Sequence, residues 1–256
     1  MTKFVLTLRV CASNIHDMMC YIDSHCHLLN ARSRELAHAH GVASMIINAA
    51  DATDWGPVSD AARNAHDVYG AVGIHPARLK DIPADWAHGL REILRQNPHL
   101  MVGEIGLDKN APDMPRQTDV FRQQLQIASE LRRIVHVHCV GTWGAMSDIL
   151  SASASVPAVV FHAYSGSPDL MARLATFGGY FSFGPAILKP QYKTMRAAVV
   201  AAPIERMLIE TDCDDDNFNP DLYADIVGQI AAQRNKPALQ MARQIYQNTK
   251  GMLSNG

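Results

Sequence analysis

Apolar and polar positions along the chain follow two rhythms. Eight short segments are rich in apolar residues: Tyr21–Leu28, Ala43–Ala50, Tyr69–Pro76, Leu100–Asp108, Ile134–Cys139, Ala158–Gly166, Tyr180–Ile187 and Met207–Asp212. Runs such as Ser44-Met45-Ile46-Ile47 and Ala158-Val159-Val160-Phe161 lack the alternation of a half-solvated sheet and suit parallel strands covered on both faces. Between the segments the period lengthens. Over Arg116–Arg132, Phe121, Leu125, Ala128 and Leu131 share one stripe at steps of four and three, which predicts a helix. Ser33 caps a short predicted helix that stops at Gly41. Pro168 opens another over Asp169–Phe177, closed by Gly178-Gly179.

Eight strands alternating with helices make this an α/β chain and leave two architectures, a closed (β/α)8 barrel or an open doubly wound sheet. No Gly-rich dinucleotide fingerprint follows the first strand, and there is no Walker-type loop. A length of 256 residues suits one barrel. A single-domain (β/α)8 barrel over residues 19–256 is the favoured expectation, with residues 1–18 as a loose, disordered extension or an upstream start.

Composition narrows the function classes. Net charge is −2, which argues against a broad electrostatic footprint on duplex nucleic acid. It leaves a nuclease open, because bound metal ions can meet a phosphate. The five cysteines are odd in number and lack framework spacing, so a reduced, cytoplasmic setting is expected. No apolar run approaches the roughly 20 residues of a membrane span, and no membrane partner is expected.

The strand ends carry the chemistry. The first strand finishes Asp23-Ser24-His25-Cys26-His27, the third Gly73-Ile74-His75-Pro76, and the fourth carries Glu104 before Gly106-Leu107-Asp108. The fifth ends at His138, the sixth carries His162, and the eighth ends at Glu210-Thr211-Asp212. Residues two apart on a strand share a face, so His25 and His27 converge. Polar residues at the C-terminal strand ends of a barrel read as catalytic. The same His-x-His spacing recurs at 38/40 and 136/138. His38 and His40 lie in a predicted helix, where a step of two separates the faces, and are not expected to be ligands. His136 reads as a core group or a support beneath His138. Four His and two carboxylates on five strands, all near one end, are a conjunction that separate structural roles explain poorly.

Ile22-Asp23-Ser24-His25-Cys26-His27-Leu28, Gly73-Ile74-His75-Pro76, Gly103-Glu104-Ile105-Gly106-Leu107-Asp108, His162 with Tyr164-Ser165-Gly166-Ser167, and Leu208-Ile209-Glu210-Thr211-Asp212 together resemble the TatD family of metal-dependent deoxyribonucleases, amidohydrolase-like barrels. Gln117, Phe121 to Ala128 and Asn248 match as well, and the likeness runs from about residue 21 to 253. The resemblance implies two divalent metal ions (Mg, Mn, Zn, Co or Fe). His25 and His27 would hold one, His138 and His162 the other, and Glu104 would bridge them. Asp212 would bind metal and take the proton of the attacking water, making Asp212 and Glu104 the catalytic pair. His75, Asp108 and Ser165 are expected to contact substrate or to support the ligands from behind.

Three departures from the family pattern bear on substrate. Relatives usually carry Arg where Val140 stands, a small residue, Pro and an aromatic where Cys213 to Asp216 stand, and an aromatic at Lys109. Losing an Arg removes a bidentate phosphate clamp, and added Asp repels a polyanion. The first expectation is a deoxyribonuclease acting on single strands or ends. The second is a hydrolase of a small amide, ester or phosphoester. The third is a catalytically silent metal-binding partner, against which the intact Asp212 speaks. Oligomeric state is not readable.

Overall fold

The computed structural model describes residues 20–254, and the extension expected over residues 1–18 lies outside the described residues. Eight strands lie in one parallel sheet in sequence order: β1 (Tyr21–Cys26), β2 (Val42–Asn48), β3 (Val68–Val72), β4 (Met101–Asp108), β5 (Val135–Val140), β6 (Val159–Phe161), β7 (Gly179–Phe183) and β8 (Met207–Ile209). One helix fills each connection: α1 (Ala31–Ala39), α2 (Trp55–Asn64), α3 (Trp86–Gln96), α4 (Met114–Glu130), α5 (Trp143–Ala152), α6 (Pro168–Ala175) and α7 (Lys193–Ala201). Helices α8 (Leu222–Gln233) and α9 (Ala238–Ser254) follow β8. The sheet edges meet beyond β8. There the Asp212 N–H donates to the His25 carbonyl at 3.0 Å, the His27 N–H donates to the Cys213 carbonyl at 2.8 Å, and His27 bridges to Asp214. The fold is the expected (β/α)8 barrel.

Helices cover the outside of the sheet, and the largest core lies there, with Met45, Val72, Phe161 and Phe181 of the strands packed against Phe121, Leu125 and Ile230 of the helices. A smaller cluster inside joins Ile46, Ala71, Met101, Ile134, Val160 and Leu208 with Met252 of α9. Two residues further along the same strands come Asn48, Gly73, Gly103, His136, His162 and Glu210. Every second side chain faces the same way, so an apolar floor gives way to a polar mouth.

Two bulges break the alternation where the chemistry sits. Asp23 and Cys26 on β1 stand opposite Met45 and Ile47 on β2, so three steps match two. Val102 and Ile105 on β4 stand opposite Val135 and Val137 on β5 in the same way. An inserted residue turns successive side chains to one face. Ser24 thus meets Ser182 at 2.6 Å inside the barrel while its neighbour His25 also faces the mouth. Gly103 lies against His136 while Glu104 reaches the histidines.

Several predicted boundaries shift. The segments expected over Ala158–Gly166 and Met207–Asp212 leave the sheet at Phe161 and Ile209, because Ala163 (φ 42°) and Asp212 (φ 52°) are left-handed and turn the chain out of the ladder. The segment expected to Ile187 ends at Phe183 and continues as a 3₁₀ turn, Pro185–Leu188. Helix α1 starts at Ala31 rather than after Ser33, since the Asn30 side chain already accepts the Arg32 N–H at 2.9 Å. The four described cysteines, Cys20, Cys26, Cys139 and Cys213, are buried.

Candidate metal centre

The mouth brings six of the predicted side chains around Glu104. On one side, His25 Nε2 lies 3.4 Å and His27 Nε2 3.7 Å from Glu104 Oε2, and the same nitrogens lie 3.7 and 3.6 Å from Asp212 Oδ1. On the other side, His138 Nδ1 and His162 Nε2 each lie 2.8 Å from Glu104 Oε1 and 3.1 Å from each other. His75 Nε2 approaches the same oxygen at 3.5 Å.

The chemistry of these donors fits divalent metal. Ligand atoms on arms of about 2.1 Å around a tetrahedral ion sit about 3.4 Å apart, close to the 3.4–3.7 Å separations of the first group. His25 is fully buried, and neither of its ring nitrogens has a hydrogen-bond partner. A buried polar group left unpaired is costly. Two of the other candidate ligand histidines have their outward nitrogens hydrogen-bonded, and the third, His162, only faces a carboxylate with its own. His27 Nδ1 donates to the Asn48 carbonyl at 2.7 Å, His138 Nε2 faces Asp108 at 3.4 Å, and His162 Nδ1 faces Glu210 at 3.5 Å. Such partners fix the tautomer and direct a lone pair at the ion. His75 differs: its Nδ1 accepts the Ala77 N–H at 3.1 Å, so its proton sits on Nε2, pointing at the centre.

The electrostatics are those of a dense, mutually dependent cluster. Burial lowers the pKa of His25 and brings that of His75 to about 4. Burial also works against the charge on Glu104, yet His162, His25 and the hydrogen bond from His138 hold it well below the usual carboxylate range. Asp212 is lowered despite burial by His27, His162 and His25. His162 is held well above the imidazole range, against burial, by Glu104 and Glu210. Among the described residues, the Arg ion pairs sit elsewhere, at Asp60, Glu92, Glu130 and Asp148. Among the described residues, no Arg therefore pairs with the carboxylates of the mouth.

Supports not anticipated from the sequence complete the site. Glu210, fully buried just beyond β8, accepts the Ala163 N–H at 2.6 Å and stands behind His162. Gln124 of α4 grips both backbone groups of Ile74, at 2.8 and 3.1 Å, and so places His75. Gln117 grips the N–H and carbonyl of Asp108 in the same manner. Asp23 takes the Thr211 hydroxyl at 2.6 Å, the Tyr223 hydroxyl at 2.8 Å and the His25 N–H at 3.1 Å. That carboxylate locks β1 to the end of β8, and its burial raises its pKa to about 7. Gln117 and Gln124, seven apart on the stripe that carries Phe121 and Leu125, were the available signal.

The remaining expectations fall outside the cluster. His136 is buried below it with neither nitrogen partnered, 5.9 Å from the His25 ring centre. Ser165 is exposed on the loop after β6, and Ser167 begins α6 without a side-chain capping bond. The acidic run is a folded turn: Asp215 accepts the Leu29 and Asn30 N–H groups at 3.1 and 2.9 Å, tying the loop after β8 to the loop after β1, and Asp214 accepts from Asp216 and Asn217. His38 lies on α1 and His40 caps its end, away from the cluster.

Comparison with known proteins points to metal-dependent hydrolases. The chain is similar to the metal-dependent hydrolase YjjV of Escherichia coli, at 27% identity over 91% of this chain and 97% of that one. The crystal structure of that protein superposes with a TM-score of 0.84, covering 92% and 98% of the two chains at 27% identity. The 3′-5′ ssDNA/RNA exonuclease TatD of Pantoea ananatis is 26% identical over 86% of this chain and 90% of its own. A TatD family hydrolase from Entamoeba histolytica, at 17% identity, shares the fold with a TM-score of 0.76 over 92% and 99% of the chains. The family profile described as TatD related DNase matches residues 22–254, and the chain belongs to that family of metal-dependent hydrolases.

Proposed function

We propose that the protein is a deoxyribonuclease that cleaves phosphodiester bonds from single-stranded DNA ends with two divalent ions. One observation carries the reading: Glu104 divides its two oxygens between two donor groups, Oε2 facing His25 and His27, Oε1 facing His138 and His162. His25, His27 and Asp212 would hold one ion, His138 and His162 the second, and Glu104 would bridge them. When bound, two divalent ions acidify water and steady the attacking and leaving oxygens of an in-line displacement. Imidazole with carboxylate suits Zn, Mn, Co or Fe, while Mg prefers more oxygen donors.

The chain's own groups divide the remaining work. Asp212 is 42% exposed at its side chain and accepts the proton of the attacking water. His75 stays neutral and donates from Nε2 to a phosphoryl oxygen. Asp108 and Glu210 keep His138 and His162 oriented. Val140 supplies no phosphate clamp, but the Lys109 stem lies across Gly141 and its N–H donates to the Val140 carbonyl at 3.0 Å, which puts a cation on that edge. The relative named as a single-strand exonuclease supports the substrate class.

Val140 and the exposed Asp214 and Asp216 favour a second reading, hydrolysis of a small amide, ester or phosphoester. The deciding experiment incubates metal-free protein with a 5′-labelled single-stranded oligonucleotide and Mg, Mn, Co or Zn in turn, beside Asp212→Asn. The nuclease reading expects a metal-dependent ladder, absent in the variant. No cleavage by protein shown to bind metal would move the assignment to the second reading.

A further inference from the structure

We propose that Tyr192, with Lys189 and Lys193, forms a platform on the barrel mouth that stacks a base and holds the flanking phosphates of a single-stranded nucleic acid. The inference rests on the nuclease reading and adds a binding subsite to it. The loop after β7 starts against the site itself: a Cβ on Gly184 would lie 3.3 Å from Glu210 Cγ. It turns through Pro185–Leu188, where Ile187 is buried, and then runs exposed from Lys189 to Thr194. Its neighbours around the barrel are the loops that carry His162 and Asp212.

The backbone of this loop is pinned. Arg196 donates to the Ile187 carbonyl at 2.9 Å, the Tyr192 N–H donates to Lys189 at 3.2 Å, and the Lys193 N–H donates to Gln191 at 2.9 Å. The side chains are not: those of Lys189, Tyr192 and Lys193 make no hydrogen bond or ion pair among the described residues. Tyr192 is 45% exposed, one of four large apolar side chains so placed among the described residues, with Leu29, Leu36 and Val200. An unpartnered aromatic ring on a pinned backbone, between two lysines, is the arrangement that takes a base on its face and phosphates at its edges. Charge assigns the path as well. The β8 side of the mouth exposes Asp212, Asp214 and Asp216, which repel a polyanion, so the strand leaves over the basic β7 side.

The test uses the full chain loaded with Mn, a fluorescent 12-nucleotide poly(dT), and bis(p-nitrophenyl) phosphate as a small diester. Binding is read by anisotropy in an Asp212→Asn background, and turnover in the active enzyme. Tyr192→Ala should weaken oligonucleotide binding and raise its KM by about tenfold, leave bis(p-nitrophenyl) phosphate turnover unchanged, and be rescued by Tyr192→Phe. Lys189→Ala with Lys193→Ala should flatten the slope of log K against log salt by about 1.4, two phosphates' worth on a single strand. An abasic oligonucleotide should bind wild type as weakly as Tyr192→Ala. Equal loss on abasic and normal strands in Tyr192→Ala would assign the ring to another partner and overturn the platform. So would oligonucleotide binding unchanged within twofold, or a matching loss on the small diester. Wild type that binds no oligonucleotide overturns platform and nuclease together; binding that depends on Tyr192 without cleavage supports the platform and overturns only the nuclease.

Discussion

The floor and the mouth of the barrel are built by the same strands, one alternation apart, and they solve opposite problems. At the floor, Ile46, Ala71, Met101, Val160 and Leu208 close on Met252 with no polar side-chain atom to satisfy. At the mouth, two residues on, His25 keeps both ring nitrogens unpartnered, Glu210 keeps Oε2 unpartnered, and Ala163 and Asp212 hold left-handed backbone. Left-handed non-glycine residues cost roughly 1 kcal/mol or more each and persist where surrounding structure enforces them. The contrast separates two duties by depth. The floor stabilises the barrel through volume and tolerates no loss of it; the mouth keeps polar atoms that no protein group satisfies.

The largest effect that would break this division belongs to Asp212→Asn. Turnover should fall by roughly a thousandfold or more, while urea unfolding of the metal-free protein moves by less than about 1 kcal/mol, as for a part-exposed isosteric change. Asn tolerates the left-handed backbone that this position requires. Full activity in the variant would sink the mechanism. Next comes His25→Ala with His27→Ala, which should remove about one equivalent of bound metal. Unchanged metal content would refute both as ligands.

Leu208→Ala tests the floor. Deleting a fully buried Leu should lower stability by about 3 kcal/mol and leave kcat per folded molecule within about twofold. A large loss of kcat with metal content unchanged would mean that floor and mouth are one mechanical unit. Gly103→Ala probes the boundary, because its Cβ would sit 2.6 Å from His136 Cβ and 2.9 Å from Asn48 Oδ1. Overpacking should cost about 2 kcal/mol, and here kcat should fall too, since Glu104 is the next residue. A stability loss with kcat intact would show that the bulge on β4 can absorb the displacement.

The same division explains what was legible in the sequence. Floor residues lie in continuous apolar runs, so the eight strands and their parallel arrangement could be read directly. The candidate donors could be read because they stand at or just beyond the ends of β1, β4, β5, β6 and β8. Strand ends were overextended at β6 and β8, since the left-handed turns at Ala163 and Asp212 are imposed by the site and leave no local signature. The roles of the supports were not readable for a related reason. Glu210 meets the Ala163 N–H across 47 residues, Gln124 meets Ile74 across 50, and Tyr223 meets Asp23 across 200. Such pairs come from barrel closure and register, which no short window contains.

A smaller effect sharpens the comparison from the floor side. His38, at the end of α1, is a histidine with both nitrogens occupied: Nδ1 lies 2.6 Å from the Val42 carbonyl, and Nε2 lies 2.5 Å from Asp67, just ahead of β3. Asp67 raises the pKa of His38, with burial opposing, and His38 lowers that of Asp67. The raised His38 value means that its contribution is full below the unfolded imidazole value near 6.5 and fades as pH climbs through the folded one. The lowered Asp67 value means that its contribution is full above about 4 and fades as pH falls through the folded one. The pair is therefore worth most between about pH 4 and 6.5. Asp67→Asn should reduce stability by about 1 kcal/mol at pH 6 in urea unfolding, and by clearly less at pH 9, where His38 has lost its proton. An equal loss at both pH values would show that the contact acts through packing rather than charge.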